Sequence, residues 1–308
     1  MATLSESDIV VGHLLAPRVG GRVTAKRGPL ARLRSNPQLY AGALLLVLIV
    51  VGALGAPLVT HYGPTTQDLV DRLKPPAWSR GGSTAHLLGT DTFGRDVFSR
   101  LLYGARYSLL VACGAVIGSG VIGIALGAIA GYAGGRTEAV IMRAVDAQQA
   151  LSAILLALMV AALFGNSLLN LLIILAVTGW STYTRILFGV VRSIRGQEYV
   201  IASVCLGARP WEVVVYHVLP NIVSPVIVIS TLQVGRMLLL EAGLSFLGLG
   251  VPEPLPAWGT MLADGYRNIF TDSYLTTIPG IAITITVFGV NLLGDGLRRA
   301  LDPHLRGT

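Results

Sequence analysis

Two lysines and five histidines are all that this chain of 308 residues offers to several common reactive sites. A phosphate-cradling Walker A loop needs Lys directly after Gly, but Lys26 follows Ala25 and Lys74 follows Leu73. None of His13, His61, His86, His217 and His304 is followed by Glu, so there is no H-E-x-x-H helix. Their scatter gives no ligand pair either. No G-x-S-x-G nucleophile turn occurs. The sequence therefore predicts no catalytic residue, no metal site and no cofactor bound by this chain. Cys113 and Cys205 make no disulfide framework and read as small apolar fillers.

What remains is charge in apolar surroundings. Asp146, Arg236 and Glu241 stand in or beside long apolar runs. A charge at the centre of a membrane helix costs roughly 2.5–3.5 kcal/mol, so these side chains should face protein or water. Asp146 lies near a run's inner end, within reach of the interface. Arg236 and Glu241 are five apart, and either neutralise one another or serve a pathway. A second oddity is "EYVIASVCLGARPWEVVVYHVLPN", residues 198–221. Its first part reads as a short helix, Gly207 suits the positive φ of a helix end, and Pro210 suits the first turn of a second helix. Pro220 should stop that second helix. Val200, Ile201, Val204 and Trp211 are too apolar for a solvated loop. The segment is expected to be a surface helix–turn–helix that either docks on another protein or lies among lipid headgroups.

The elements that must position these residues are membrane spans. Hydrophobic residues are 53% of the chain and charged ones 13%, against about 25% charge in soluble domains. Uncharged runs cover Leu39–Val59, Tyr107–Ala133, Ala147–Thr184 and Ser273–Gly294. A bilayer core takes about 20 apolar residues per helix, so the chain is an all-α polytopic membrane protein. "FGNSLLN", 164–170, is a turn signal that splits the 38-residue run. Six transmembrane helices follow, near 39–59, 107–133, 140–163, 168–190, 221–247 and 274–296. Gly114 with Gly118, and Gly123 with Gly127 and Gly131, form small-residue stripes that pack within the chain or against a second subunit.

Orientation follows from Lys and Arg. With both termini cytoplasmic, 15 of the 23 fall inside and 7 outside, and Arg236 lies within the fifth span. The net charge of +7 thus reports topology and calls for no nucleic acid. The first apolar run is preceded by a 38-residue arm, which favours an uncleaved anchor over a signal peptide.

Three stretches carry a family resemblance. "ASVCLGARPWEVVVYHVLPN" is similar to the cytoplasmic EAA loop of ABC-importer permeases. "HLLGTDTFGRDVFSRLLYGARYSLL" (86–110) and "EAGLSFLGLGVPEPLPAWGTML" (241–262) resemble the dipeptide/oligopeptide/nickel group, specifically its C-type inner-membrane subunit. "GDGLRRALDPHLR" (294–306) resembles that group's tail. The likeness runs over residues 35 to 306. Ile201 stands where the family's loop has Glu, while Glu198, one turn earlier, lies on about the same face. Ser152 stands where the family often has Pro, which predicts a straighter third span.

The resemblance implies a type I ABC importer transmembrane domain over 104–296. A cytoplasmic arm (1–38), the first helix (39–59) and an extracytoplasmic segment (60–103) precede it, and a cytoplasmic tail (297–308) follows. Its coupling loop, 191–220, would offer Glu198, Ala202, Gly207, Trp211, His217, Leu219, Pro220 and Asn221 to an ATPase. The resemblance further implies a homologous B-type permease as heterodimer partner, ATP-binding subunits that use ATP and Mg, and an extracytoplasmic solute-binding protein. Peptides are the expected cargo, with nickel chelates or glutathione as alternatives. An ion-coupled secondary transporter is the competing class, but no inverted repeat is visible.

Overall fold

A computed structural model describes residues 36–165 and 167–301, all of whose regular structure is helical. Most of the arm, the turn's Asn166 and the tail from 302 lie outside the described residues. The helices are α1 (Pro37–Val59), α2 (Val97–Ala133), α3 (Gly135–Ala150), α4 (Ala153–Phe164) and α5 (Leu168–Arg195). There follow α6 (Glu198–Cys205), α7 (Pro210–Phe246), α8 (Trp258–Tyr266) and α9 (Tyr274–Leu301). Five of these, α1, α2, α5, α7 and α9, are long and apolar enough to cross a membrane, and α3 with α4 makes a sixth span if the bent pair counts as one.

The second helix begins ten residues before the expected start at 107. The reason is local: Asp96 is its N-cap, and its carboxylate accepts the Ser99 backbone N–H at 2.7 Å. Such a cap satisfies a donor that the helix itself leaves open. Arg100 and Arg106 therefore belong to the helix.

The expected straight third span is instead a sharp bend. α3 and α4 meet at 93° across Leu151 and Ser152, both in extended backbone. Polarity explains the division. α3 carries Arg136, Glu138, Arg143 and Asp146, whereas α4 is "AILLALMVAALF". Ser152 takes the N-cap position of α4 in extended backbone, without a side-chain cap bond, so losing the Pro does not straighten the chain.

The most extensive helix contact is α2 on α5. Here both glycine stripes are used within the chain. A Cβ at Gly123 would lie 2.4 Å from Tyr183 Cβ, and one at Gly131 would lie 2.7 Å from Val191 Cβ. Gly114 and Gly118 meet Leu172 and Ala176 in the same way. Close backbone approach replaces hydrophobic burial as the packing force in lipid. Tyr183, fully buried, extends the seam to α7 by donating its hydroxyl to Ser230 Oγ at 3.0 Å. α1 lies outside this seam, against α9.

At one end of the bundle, residues 60–96 form a mostly irregular segment pinned by buried charge. Asp91 accepts the backbone N–H groups of Phe93 (2.8 Å) and Arg95 (2.9 Å), the Arg95 Nε–H (2.6 Å) and an N–H of Arg100. Asp264 of α8 approaches the same two guanidinium groups at 3.3–3.5 Å. His86 sits between Asp96 (3.0 Å) and Asp71 (3.2 Å). The hydrogen bond from Lys74, and then that from His86, hold the Asp71 carboxyl below its ordinary value against partial desolvation. The Tyr274 hydroxyl, at the start of α9, reaches Thr90 O at 2.8 Å and Lys74 O at 3.1 Å.

Candidate functional site

At the other end, α6 and the start of α7 make a helical hairpin. α6 ends in a glycine cap: Gly207 has φ +91°, its N–H donates to Val204 O at 3.0 Å, and Ala208 N–H donates to Ser203 O at 3.1 Å. This pair of bonds closes a helix C-terminus around a left-handed residue, which Gly adopts without steric cost. Two residues on, α7 opens with Pro210 at its first position, and the Glu212 carboxylate accepts the Arg209 N–H at 2.7 Å. The expected helix–turn–helix is present.

Pro220 does not stop the second helix, contrary to the expectation from sequence. Residues Val214–Val218 form a π-turn, and the helix continues through Pro220 into the span. The ring of a helical proline collides with the carbonyl four residues back. Widening the preceding turn to i→i+5 bonding, seen in Leu219 N–H donating to Val214 O, makes room for it.

A polar clamp closes the hairpin. His217 Nε2 lies 3.1 Å from Ser203 Oγ, and the His217 and Tyr199 rings meet edge to face at 5.7 Å. Asn221 Nδ2 donates to His217 O at 2.7 Å and to the Tyr199 hydroxyl at 3.4 Å. His217 and Asn221 were legible as part of the loop, but Tyr199 and Ser203 were missed. Their i, i+4 spacing puts both on one face of α6, opposite another i, i+4 pair. That matching was the available signal.

The hairpin's inner side is apolar and closed, with Val200, Val213 and Val218 buried. Several of its exposed side chains are apolar as well: Trp211 and Leu206, the last 89% exposed, with Ile201 and Val204 open along a cleft beside α2. Glu198, Ala202, Gly207, Leu219, Pro220 and Asn221 are exposed as well. A cleft of about 540 Å³, lined by Tyr132, Arg195, Val200 and Val204 among others, separates α6 from the end of α2. The hairpin thus stands off the bundle, gripped mainly through the π-turn and α7.

The three charges at membrane depth separate. Arg236 is exposed and donates to Thr182 Oγ1 of α5 at 3.0 Å. Glu241 is fully buried and accepts from Ser245 Oγ at 2.7 Å. They do not pair, because five residues place them about 140° apart around a helix of 3.6 residues per turn. Asp146 is exposed and forms an ion pair with Arg185. Asp146, Arg185, Thr182 and Arg236 therefore give α3, α5 and α7 a polar open face. The outward residues of α1 and α9 are instead Leu44, Leu48, Val51, Ile281, Ile285 and Phe288. Intramembrane charge faces water or protein, not lipid, so the two sides have different neighbours.

A long-span helical bundle with a helical hairpin at one end and one polar face describes a membrane transport subunit. The chain belongs to the family of binding-protein-dependent transport system inner membrane components, whose model matches residues 123–307. The model of the N-terminal TM domain of oligopeptide transport permease C matches residues 29–76. The chain is 39% identical over 275 residues to the oligopeptide transport system permease protein OppC of Bacillus subtilis, covering 89% of this chain and 88% of that protein. It is 42% identical over 273 residues to the di/tripeptide transport system permease protein DppC of Pseudomonas aeruginosa, covering 89% of this chain and 90% of the relative. The same identity over 273 residues relates it to the dipeptide transport system permease protein DppC of Escherichia coli K12, with 89% and 91% covered. The chain is a multi-pass inner-membrane permease component of an ABC transport system.

Proposed function

We propose that this permease forms half of an import pathway for short peptides and couples it to ATP hydrolysis in separate subunits through residues 198–221. The peptide cargo is supported by the names of its relatives, which carry oligopeptides, di/tripeptides and dipeptides. The coupling role rests on one observation: a clamped hairpin that presents Leu206 and Trp211 to the outside, with Ile201 and Val204 open along the cleft beside it. An exposed apolar patch on a rigid element is a docking surface in search of a cleft. A homologous B-type permease would cover the polar face of α3, α5 and α7, leaving Arg236 and the Asp146–Arg185 pair along a shared pathway. The orientation with both termini cytoplasmic is supported by the bias of Lys and Arg. It puts the hairpin on the ATP side and residues 60–96 outside. There Val70, 90% exposed, and Leu69 cap a segment that is held fast from below, a suitable landing for a peptide-loaded binding protein.

In this reading ATP-driven closure moves the docked hairpin, and the π-turn passes the motion to α7 without a hinge. Gly207→Val tests it. A Cβ at Gly207 meets nothing within 4 Å, so the substitution adds backbone strain and no clash. A side chain in the left-handed region costs roughly 1–2 kcal/mol. The variant should assemble with its partners in reconstituted vesicles, yet lose uptake and the stimulation of ATPase by loaded binding protein. Normal uptake with normal stimulation would remove the coupling role.

A further inference from the structure

Between α1, α2 and α9, near the end that carries residues 60–96, runs an open apolar cleft of about 430 Å³. Leu48 and Gly52 line one wall, Leu102 and Trp258 its back, and Ile281 and Ile285 the other wall. Beside it stands Arg106, next in chain to the lining Ala105 and one turn from Leu102. Its guanidinium donates to the carbonyls of Ala53 (2.5 Å) and Leu54 (2.8 Å) on α1 and lies over the Tyr103 ring. Among the described residues no carboxylate pairs with it. Leu54 is five residues from the end of α1 at Val59, about 8 Å at 1.5 Å per residue. Arg106 therefore stands near the end of the span that carries residues 60–96. An Arg whose protein partners are carbonyls and a ring keeps its whole charge there, and a membrane Arg seeks an anion or water.

We infer that this cleft is a binding site for one anionic phospholipid, with an acyl chain between α1 and α9 and the phosphate on Arg106. The cleft opens on the apolar side of the molecule, away from Asp146, Arg185 and Arg236, so the bilayer is its solvent. Its volume lies within the range of about 300–1,000 Å³ usual for ligand sites. The bound chain would fill the space between α2 and α9, which scarcely touch, and hold α1 to both.

Trp258 reports occupancy directly. Its side chain is the back wall and only 3% exposed, so bulk lipid reaches it only through the cleft. The assembled transporter would be reconstituted in vesicles of phosphatidylglycerol or phosphatidylcholine with bromine on the acyl chains, which quench indole on contact. Quenching present in the native chain and absent in Trp258→Phe is the Trp258 signal, whatever the other subunits contribute. It should be present, and stronger with phosphatidylglycerol. Gly52→Leu should abolish most of it, since a Cβ there makes an ordinary 3.4 Å contact with Leu102 and the rest of the side chain fills the cleft. Ala282→Leu, from the opposite wall, should do the same if Gly52→Leu fails to assemble. Arg106→Gln should erase the preference for the anionic lipid. No Trp258 signal in the assembled transporter would mean that a partner subunit covers the cleft, and would overturn the site. So would a signal indifferent to Gly52→Leu and Ala282→Leu, or one equal in both lipids.

Discussion

Along α2 the tolerance of a glycine is decided by what stands opposite it. At Gly123 an added methyl would sit 2.4 Å from Tyr183 Cβ and 2.6 Å from Trp180 O, and backbone cannot step aside. At Gly55 in α1 nothing lies within 4 Å. Overpacking costs about 1–3 kcal/mol, whereas Ala in place of a helical Gly gains up to about 1 kcal/mol. Gly123→Ala should therefore lower the melting temperature of the detergent-extracted protein, and Gly55→Ala should leave it unchanged or raise it. The spacing of the stripe was legible in the sequence. Its use within the chain was not, because i, i+4 spacing does not name the partner helix. The pairing alternative for Arg236 and Glu241 failed for the opposite reason: they are near in sequence but point to different sides. Their Ala substitutions should add within about 0.3–0.5 kcal/mol in a double-mutant cycle; a larger coupling would restore the pair.

At the scale of elements, the hairpin was read nearly whole. A Gly that closes one helix and a Pro that opens the next are local signals, and local signals survive in a single sequence. Two features needed tertiary knowledge. The π-turn is a way around Pro220 that arises because the helix must continue into the bundle. The bend at Leu151–Ser152 exists because α3 is polar and α4 is not, and run counting merged the two. The clamp across the hairpin gives a further prediction. His217→Ala and Ser203→Ala each remove one side of a 3.1 Å contact. If the clamp keeps the hairpin rigid, each should weaken the ATPase response to loaded binding protein, and the double variant should be no worse than His217→Ala alone. A fully additive loss would show that the two act separately.

For the whole molecule, sidedness comes first. With Cys113→Ser and Cys205→Ser as background, a cysteine at Thr84 should react with an impermeant reagent in intact cells, and one at Ser193 only after permeabilisation. Labelling of Ser193→Cys from outside would reverse the orientation. The charge cluster at the end that carries residues 60–96 was the largest feature left unread. Counting Lys and Arg treated Arg95 and Arg100 as topology markers, and nothing in the sequence brings Asp264 to them across more than 160 residues. Its energetics follow from burial. Asp91, Arg95 and Arg100 are each about 4% exposed, while the Asp264 side chain is 26% exposed and its contacts are longer. Removing one partner from a buried ion cluster costs about 3–5 kcal/mol, because the remaining charges have no water to turn to. Asp91→Asn keeps the acceptor for the Phe93 and Arg95 N–H groups but removes the charge. It should release residues 61–96 to protease in right-side-out vesicles and sharply reduce folded protein. Asp264→Asn should do much less, since water already shares that carboxylate. Adding Arg95→Met and Arg100→Met to Asp91→Asn removes the stranded cations at nearly constant volume and leaves only the part-exposed Asp264 charged, a far smaller penalty than unpaired buried cations. Protease resistance should then return. If Asp91→Asn is as resistant as the native chain, or the triple variant is weaker than Asp91→Asn alone, the cluster does not hold residues 60–96 to α8.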